Sequence, residues 1–581
     1  MNNSRTITTS RSADLVSFTI LVEGVELSAE YHVKNISVEK EINRIPFAQI
    51  VFFDGSAASQ NFDLSNEDLL IPGKEIEIKA GYHNDNQTIF KGVIIKHSIK
   101  VRENASVLIV ECRDEAVKMT IGRKSNFYYE STDSDLIEEI ITKYNLQSNV
   151  AATSYTNKEV VQYQASDWDF IMTRAQLNGQ ICTVDDGTIT IAKPDLSQDE
   201  IETVAFGATL LDFDAEMDAR NQFNSITAYG WNPSEQEIVE APAADPNLTL
   251  NGNITVSNLA EALAVDQLEL KHGGNYNSAQ LQQWSDSKSL FQQLSKTRGR
   301  MKFQGIANVK PATMLKLEGV GDRFNGKVFI NAVRHEIADG NWTVDAEFGI
   351  NPQWFSETYD ISELPASGII PAVSGLQIGV VSQLEEDPNG ENRILVKIPI
   401  INQDEQGIWT RVATLDAGEN RGSFFLPEIG DEVIVGFIND DPNHAVILGM
   451  LHSSAKPAPI IASDDNHEKG FVTRSEMKLL FNDDKKSVTI ETPGGKKIII
   501  DEDAGTIKIE DDNTNIITLD SNGIIMESGS DLSIKANGDC NIEATNINIK
   551  ANAQFTAEGS AGAEVSTSAI AVIKGSLVQI N

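Results

Sequence analysis

The C-terminal region from Val488 onward repeats one short phrase, an apolar–x–apolar doublet followed by a polar turn rich in Gly, Asn, Asp and Ser. The doublets are Val488/Ile490, Ile498/Ile500, Ile507/Ile509, Ile517/Leu519, Ile524/Met526, Leu532/Ile534, Cys540/Ile542, Ile547/Ile549, Phe555/Ala557, Ala563/Val565, Ile570/Val572 and Val578/Ile580. Side chains two apart share one face of a strand, so each phrase predicts a strand. Successive phrases predict a solenoid rather than a globule.

Phrase length also constrains the number of chains. A single-chain coil needs roughly 20 or more residues per turn to enclose its own core, whereas a phrase of about eight residues supplies a single wall. Three chains supply three walls, closing a triangular β-prism in which each chain's doublets are covered by two partners. Every aliphatic side chain so buried contributes about 1.5–3 kcal/mol before conformational entropy is subtracted. The repeat therefore predicts an obligate homotrimer with a stiff C-terminal shaft.

Composition narrows the partners. The 581-residue chain carries a formal charge of −38, and three copies together would repel phosphate backbones and anionic lipid surfaces, so no nucleic-acid partner is expected. The N-terminal stretch MNNSRTITTSRSADLVSFTI has no apolar run of signal-peptide type, and synthesis in the cytoplasm without a signal peptide is expected. The longest mostly apolar segment, 368–381, is broken by Pro371, Ser374 and Gln377 and is too short for a membrane span. Cys112, Cys182 and Cys540 stand far apart with no CxxC spacing, which predicts buried free thiols.

Texture changes along the chain mark the domains. Residues 1–115 read as a first β-barrel of short strands, and 116–202 as an α/β insert. In the insert Leu136, Ile137, Ile140 and Ile141 line one helical face behind the caps Ser131, Thr132 and Asp133, and a second helix runs from Ser166 to the Asn178-Gly179 stop. Residues 203–364 read as a second β-barrel, interrupted by a loop near 241–253 and a long helix over 278–300. A linker (365–374) leads to five short strands over 375–452, the pattern of an OB-fold barrel. OB barrels often bind nucleic acid or sugars, but residues 375–451 carry 13 acidic and 4 basic side chains, which favours a structural adaptor. A second linker (453–476) precedes the repeats at 477–581.

Asp387-Pro-Asn-Gly390 with Arg393, Trp409-Thr-Arg411, Phe425-Leu-Pro-Glu-Ile-Gly-Asp-Glu-Val433, Asp441-Pro442 and Gly449 resemble the OB module of VgrG-like spike proteins. Such spikes belong to type VI secretion systems and related phage-tail-like contractile injection systems. Upstream, the 164–174 segment QASDWDFIMTR with Asn178-Gly179 resembles the family's hub insert, and the 321–326 segment GDRFNG with Val333-Arg-His335 its second hub barrel. The resemblance implies a mainly β fold: a hub of two β-barrel domains with an α/β insert, an OB-fold barrel, and a C-terminal intertwined trimeric β-helix needle. It implies Trp409, Arg411, Pro427, Glu428, Gly430 and Asp431 as the structural OB signature, and a blunt end at Val578, Ile580 and Asn581 that docks a PAAR-repeat tip protein. The implied partners are a hexameric Hcp-like inner tube protein, baseplate proteins and effectors, with expulsion from the injection particle.

No catalytic site, cofactor or metal site is expected. His335-Glu-Ile-Ala-Asp339 lacks the second His of a zinc-protease helix and lies in strand-patterned sequence, which predicts a surface or barrel histidine. Thr492-Pro-Gly-Gly-Lys496 lacks the upstream Gly and following Ser/Thr of a phosphate loop, so it reads as a β-turn. The acidic clusters at 501–503 and 511–512 show no recurring calcium-ligand spacing. Too few residues separate Leu451 from Met477 for a muramidase insert, and the repeat continues to Asn581, so no appended effector domain is expected. The competing reading is a β-helical tailspike that binds or degrades polysaccharide; it would need longer coils or a carboxylate-lined groove.

Overall fold

The computed structural model describes residues 15–103 and 105–580. They divide into two compact units, one ending at residue 374 and taking in 439–442, the other of 375–438 with the described residues from 443 onward.

In the first unit, one large sheet of thirteen strands among the described residues spans both β segments. The joint is the pairing of Val33–Glu41 with Gly326–Ala338, antiparallel from Ala332↔Glu41 to Ala338↔Asn35. The sheet has two hydrophobic cores, one around Ile36, Phe52, Ile78, Phe90 and Leu108, the other around Met301, Phe303, Leu315, Ile330 and Phe348. Two strand-patterned segments flanking an insert thus share a backbone ladder, a long-range pairing that local alternation does not encode.

The insert follows its local signals. Helix Asp133–Thr142 is capped by Thr132, whose Oγ1 accepts from the Asp135 N–H at 3.2 Å. Helix Asp167–Leu177 is capped by Ser166 and ends at Asn178-Gly179, where Gly179 adopts the left-handed φ of +70° that terminates helices. Leu136, Ile137, Ile140 and Ile141 pack with Trp168, Ile171, Ile189 and Ile191 in one core. Asp133 is buried and bonded by Arg174 Nε and by Asn178 Nδ2, each at 2.7 Å, so the two helices are tied by a satisfied charge.

Two helix and cysteine expectations need correction. The long helix runs only Ser278–Leu294, because Thr297–Gln304 is a strand whose Thr297, Met301 and Phe303 turn inward between Leu210–Met217 and Asn341–Phe348. Cys112 and Cys182 are buried free thiols, pushed well up by burial, but Cys540 is exposed because its stretch of chain has no neighbour within the same molecule.

His335 lies in the large sheet, fully enclosed in the strand between Val38 and Val344. Burial, reinforced by Lys40 and Lys310, pulls its pKa down to about 3, so it is neutral. Lys40 is buried too and pairs with Asp185 at 2.5 Å and Asp186 at 3.2 Å, while Lys310 reaches Asp185 at 2.5 Å. Burial alone would raise the Asp185 carboxyl; the two ammonium groups hold it below the usual range.

In the second unit, Gln377–Gln383, Ile394–Lys397, Ile408–Val412, Glu432–Phe437 and Ala445–Met450 close into a five-stranded barrel. Its core is Val381, Ile394, Val396, Val433, Val435, Ala445 and Ile447. A seven-stranded antiparallel meander follows, from Glu468–Val472 to Gly523–Glu527. The ladder begins at Glu468, upstream of the Met477 boundary expected from sequence, because Glu468–Val472 pairs with Lys478–Asn482. The doublets from Val488 to Met526 lie on these strands. Those from Leu532 to Ile580 carry no strand within the chain. Among the described residues no helix is long and apolar enough to cross a membrane.

Candidate functional site: the collar turn and the needle face

Residues Glu428–Asp431 form a tight turn leading into the Glu432–Phe437 strand. The Asp431 N–H donates to the Glu428 carbonyl at 3.0 Å, and Gly430, third in the turn, has φ +86°, the conformation a type II turn requires there. The Gly430 N–H donates to the Val381 carbonyl at 2.8 Å, stitching the turn to the first barrel strand. Asp431 accepts from the Glu428 N–H at 2.9 Å and from Lys456 Nζ at 2.7 Å, and Lys456 also donates to the Gly430 carbonyl at 2.6 Å. The PEIGDEV phrase therefore encodes backbone geometry rather than chemistry.

The turn also anchors the start of the needle. Arg474 Nη1 meets Glu428 at 2.8 Å, and the Phe425 and Phe471 rings stack at 5.4 Å, 16° from parallel. Sequence reading missed Lys456, Arg474 and the Phe425/Phe471 pair; the lone lysine in the SSAKPAP linker and the aromatic opening Glu468–Val472 were the available signals. Not all of the OB signature converges here. Glu428, Gly430 and Asp431 share the turn that Pro427 enters, whereas Trp409 and Arg411 lie on Ile408–Val412, Trp409 half-buried opposite Leu395 and Arg411 exposed opposite Val446. Among the described residues no hydrogen bond or ion pair joins those two to the turn.

A second clamp closes the DPNG loop. Asp387 accepts from the backbone N–H groups of Asn389, Glu391 and Arg393, and from Arg393 Nη2 at 2.6 Å and Nε at 3.1 Å. The Arg393 guanidinium, with those amides, holds the Asp387 carboxyl well below the usual carboxylate range.

The needle meander has two unlike faces. Register places Phe481, Val488, Ile500, Ile507, Leu519 and Ile524 opposite one another in one column. Leu479, Ile490, Ile498, Ile509, Ile517 and Met526 form a second column beside it. The opposite face is mixed, with Thr489, Ile499 and Thr518 flanked by the ion pairs Lys478–Glu491, Lys497–Glu491 and Lys508–Glu510. Within one chain the apolar columns are bare: Ile490 and Ile500 are each 48% exposed. Two continuous aliphatic columns across six strands exceed the scattered apolar exposure normal for a monomer's surface. Val578 and Ile580 are likewise exposed, and Asn581 lies outside the described residues. Among the described residues no group of three or more His, Cys, Asp or Glu side chains is placed to hold a metal ion.

Comparison with known proteins matches two segments of the chain to family models. Residues 12–339, more than half of it, match the family described as the Alg8 N-terminal domain, and 377–452 match the type VI secretion system/phage-baseplate injector OB domain. The Vibrio cholerae type VI spike protein VgrG3 is 36% identical over 75 residues, 13% of this chain and 7% of that protein. Pseudomonas aeruginosa VgrG1a is 31% identical over 117 residues, 18% of each. The matched region thus spans under a fifth of either relative. Among solved structures, the 43 kDa tail protein of Shewanella oneidensis prophage MuSo2 has a TM-score of 0.44 at 10% identity, covering 58% of this chain and 98% of that one. The E. coli type VI component c3393 has a TM-score of 0.37 at 13% identity over 74% of this chain and 99% of its own. Through residues 12–339 the chain belongs to the Alg8 N-terminal domain family, and its OB barrel is similar to the injector OB domain and to VgrG spike proteins.

Proposed function

We propose that this chain is the trimeric spike of a contractile injection machine and performs no catalysis of its own. The observation that carries the reading is the pair of bare aliphatic columns on the needle sheet, which three copies would bury against one another. The hub, read as barrels 1–115 and 203–364 around the insert 116–202, would seat on a hexameric Hcp-like inner tube and on baseplate proteins. The OB collar, 375–452, would pass thrust to the needle through the Gly430 turn and the Arg474–Glu428 and Phe425/Phe471 contacts. The distal end near Val578, Ile580 and Asn581 would dock a PAAR-repeat tip protein, and effectors would leave with the spike as it is expelled from the cell.

Two assays on the purified chain test this function. Co-sedimentation with the tube protein should show binding, and incubation with peptidoglycan and acidic glycans should release no fragments. Robust hydrolysis without other components would favour the polysaccharide-degrading tailspike instead.

A further inference from the structure

One hairpin turn of the insert, Asp185-Asp186-Gly187, is held by both β segments of the first unit. It joins Ile181–Asp185 to Thr188–Ala192, with Asp186 at φ +52° and Gly187 at φ +86°. The Gly187 N–H donates to Asp114 at 2.8 Å and the Lys91 N–H to Asp186 at 3.0 Å, so the turn is fixed in place. Lys40 reaches it from Val33–Glu41, where Ile36, Val38 and Lys40 follow one another along the inward face and Lys40 is only 3% exposed. Its Nζ lies 2.5 Å from Asp185 Oδ1 and 3.2 Å from Asp186 Oδ1. Lys310 Nζ takes the other oxygen, Asp185 Oδ2, at 2.5 Å.

Taking an ammonium and a carboxylate out of water carries a desolvation cost that their attraction does not always repay. Condensing the two to a neutral amide removes both charges at once. We propose that Lys40 and Asp185 form an intramolecular isopeptide bond, which ties the first β segment to the insert and does not depend on copy number. The step needs no external reactant. Lys40 passes one ammonium proton to Asp186, and the freed Nζ lone pair attacks the Asp185 carboxyl carbon. With Oδ1 at 2.5 Å, that carbon is close to the roughly 3–3.5 Å of a near-attack contact. Lys310 stays on Oδ2 and matches the negative charge that gathers there in the tetrahedral intermediate. Asp186 hands its proton to Oδ1, a second proton follows from Nζ by the same path, and the Cγ–Oδ1 bond breaks with Oδ1 leaving as water. One ammonium and one carboxylate have become one amide and one water, and Asp186 is a carboxylate again. The reaction happens once per chain and turns over no substrate. Lys40 is the nucleophile rather than Lys310 because it is buried and has a second carboxylate to take its proton, whereas Lys310 is 37% exposed and ion-paired to Asp185 alone among the described residues.

Mass spectrometry of the purified full-length protein, heat-denatured and then digested with trypsin, tests the bond, because an ion pair is lost on unfolding and an amide is not. The intact chain should be lighter than its sequence by one water. The digest should hold a branched peptide joining the Lys40 fragment to the Asp185 fragment, uncut after Lys40. Lys40→Arg keeps the charge but cannot form the amide, and should restore the missing water. Asp186→Ala removes the proton acceptor, and the branch should form at least about a hundredfold more slowly after synthesis. A branch that forms as fast without Asp186 would overturn the proposed step. A wild-type chain of full mass, with its Lys40 and Asp185 fragments separate, would overturn the bond itself, and that readout stands even where a variant fails to fold. So would a chain short of one water but unbranched, the mark of a succinimide at Asp186-Gly187, or a branch carried by Lys310 instead of Lys40.

Discussion

The OB barrel and the needle sheet are neighbours in sequence and both antiparallel in plan, yet they complete their folding differently. In the barrel, five strands close on themselves and Val396, Val433, Val435 and Ile447 are entirely sequestered within one chain. In the needle, the strands pair just as regularly, but the sheet is a single layer and its apolar columns face outward. A saturated backbone ladder is therefore no sign of a completed core. The barrel's stability is a property of the chain, and on the function proposed above the needle's is a property of an assembly.

Substitutions should break this contrast in graded ways. The largest effect is expected from a buried carboxylate. Val435→Asp should unfold the barrel at any protein concentration, whereas Ile498→Asp should leave the barrel folded and shift association by more than about 3 kcal/mol across three chains, read by circular dichroism beside sedimentation. Ile499→Asp, one residue along but on the mixed face, should leave association nearly intact. Next comes Gly430→Ala. The left-handed φ of +86° costs a non-glycine residue roughly 1–2 kcal/mol, so thermal melting should fall by a few degrees with no change in copy number.

Acid should sharpen the comparison further. The Asp387 carboxyl is depressed below its unfolded value, so its contribution is fully present above about pH 4 and is lost as pH falls through the lower folded value. Asp387→Asn should flatten that acid dependence of barrel melting and leave needle association unchanged. The smallest effect is expected on the needle's outer face. Lys497→Gln removes a partly exposed pair with Glu491 at 3.4 Å and should cost under about 1 kcal/mol, diminishing with salt.

Much of this was legible in the sequence because it is local. Each barrel strand announced itself by alternation, Thr132 and Ser166 by their capping chemistry, and the needle doublets by their period. Long-range pairings were not legible. Nothing near Val33–Glu41 says that it joins Gly326–Ala338, and the helix over 278–294 ends early because the strand beginning at Thr297 is claimed by two distant neighbours. The collar site was half visible. Gly430 and Asp431 stood out in PEIGDEV, but Lys456 and Arg474 reach the turn from a segment, 453–476, that sequence alone shows as a linker. Cys540 was expected to be buried, as a member of a doublet that partner chains would cover, and within one chain it is exposed.

The central claim is that the needle face is a contact between copies of this chain. Sedimentation equilibrium of the purified full-length protein measures that directly. The account predicts a single species at three times the 63.5 kDa chain mass, persisting on dilution through the micromolar range. A stable species at the mass of one chain would contradict it.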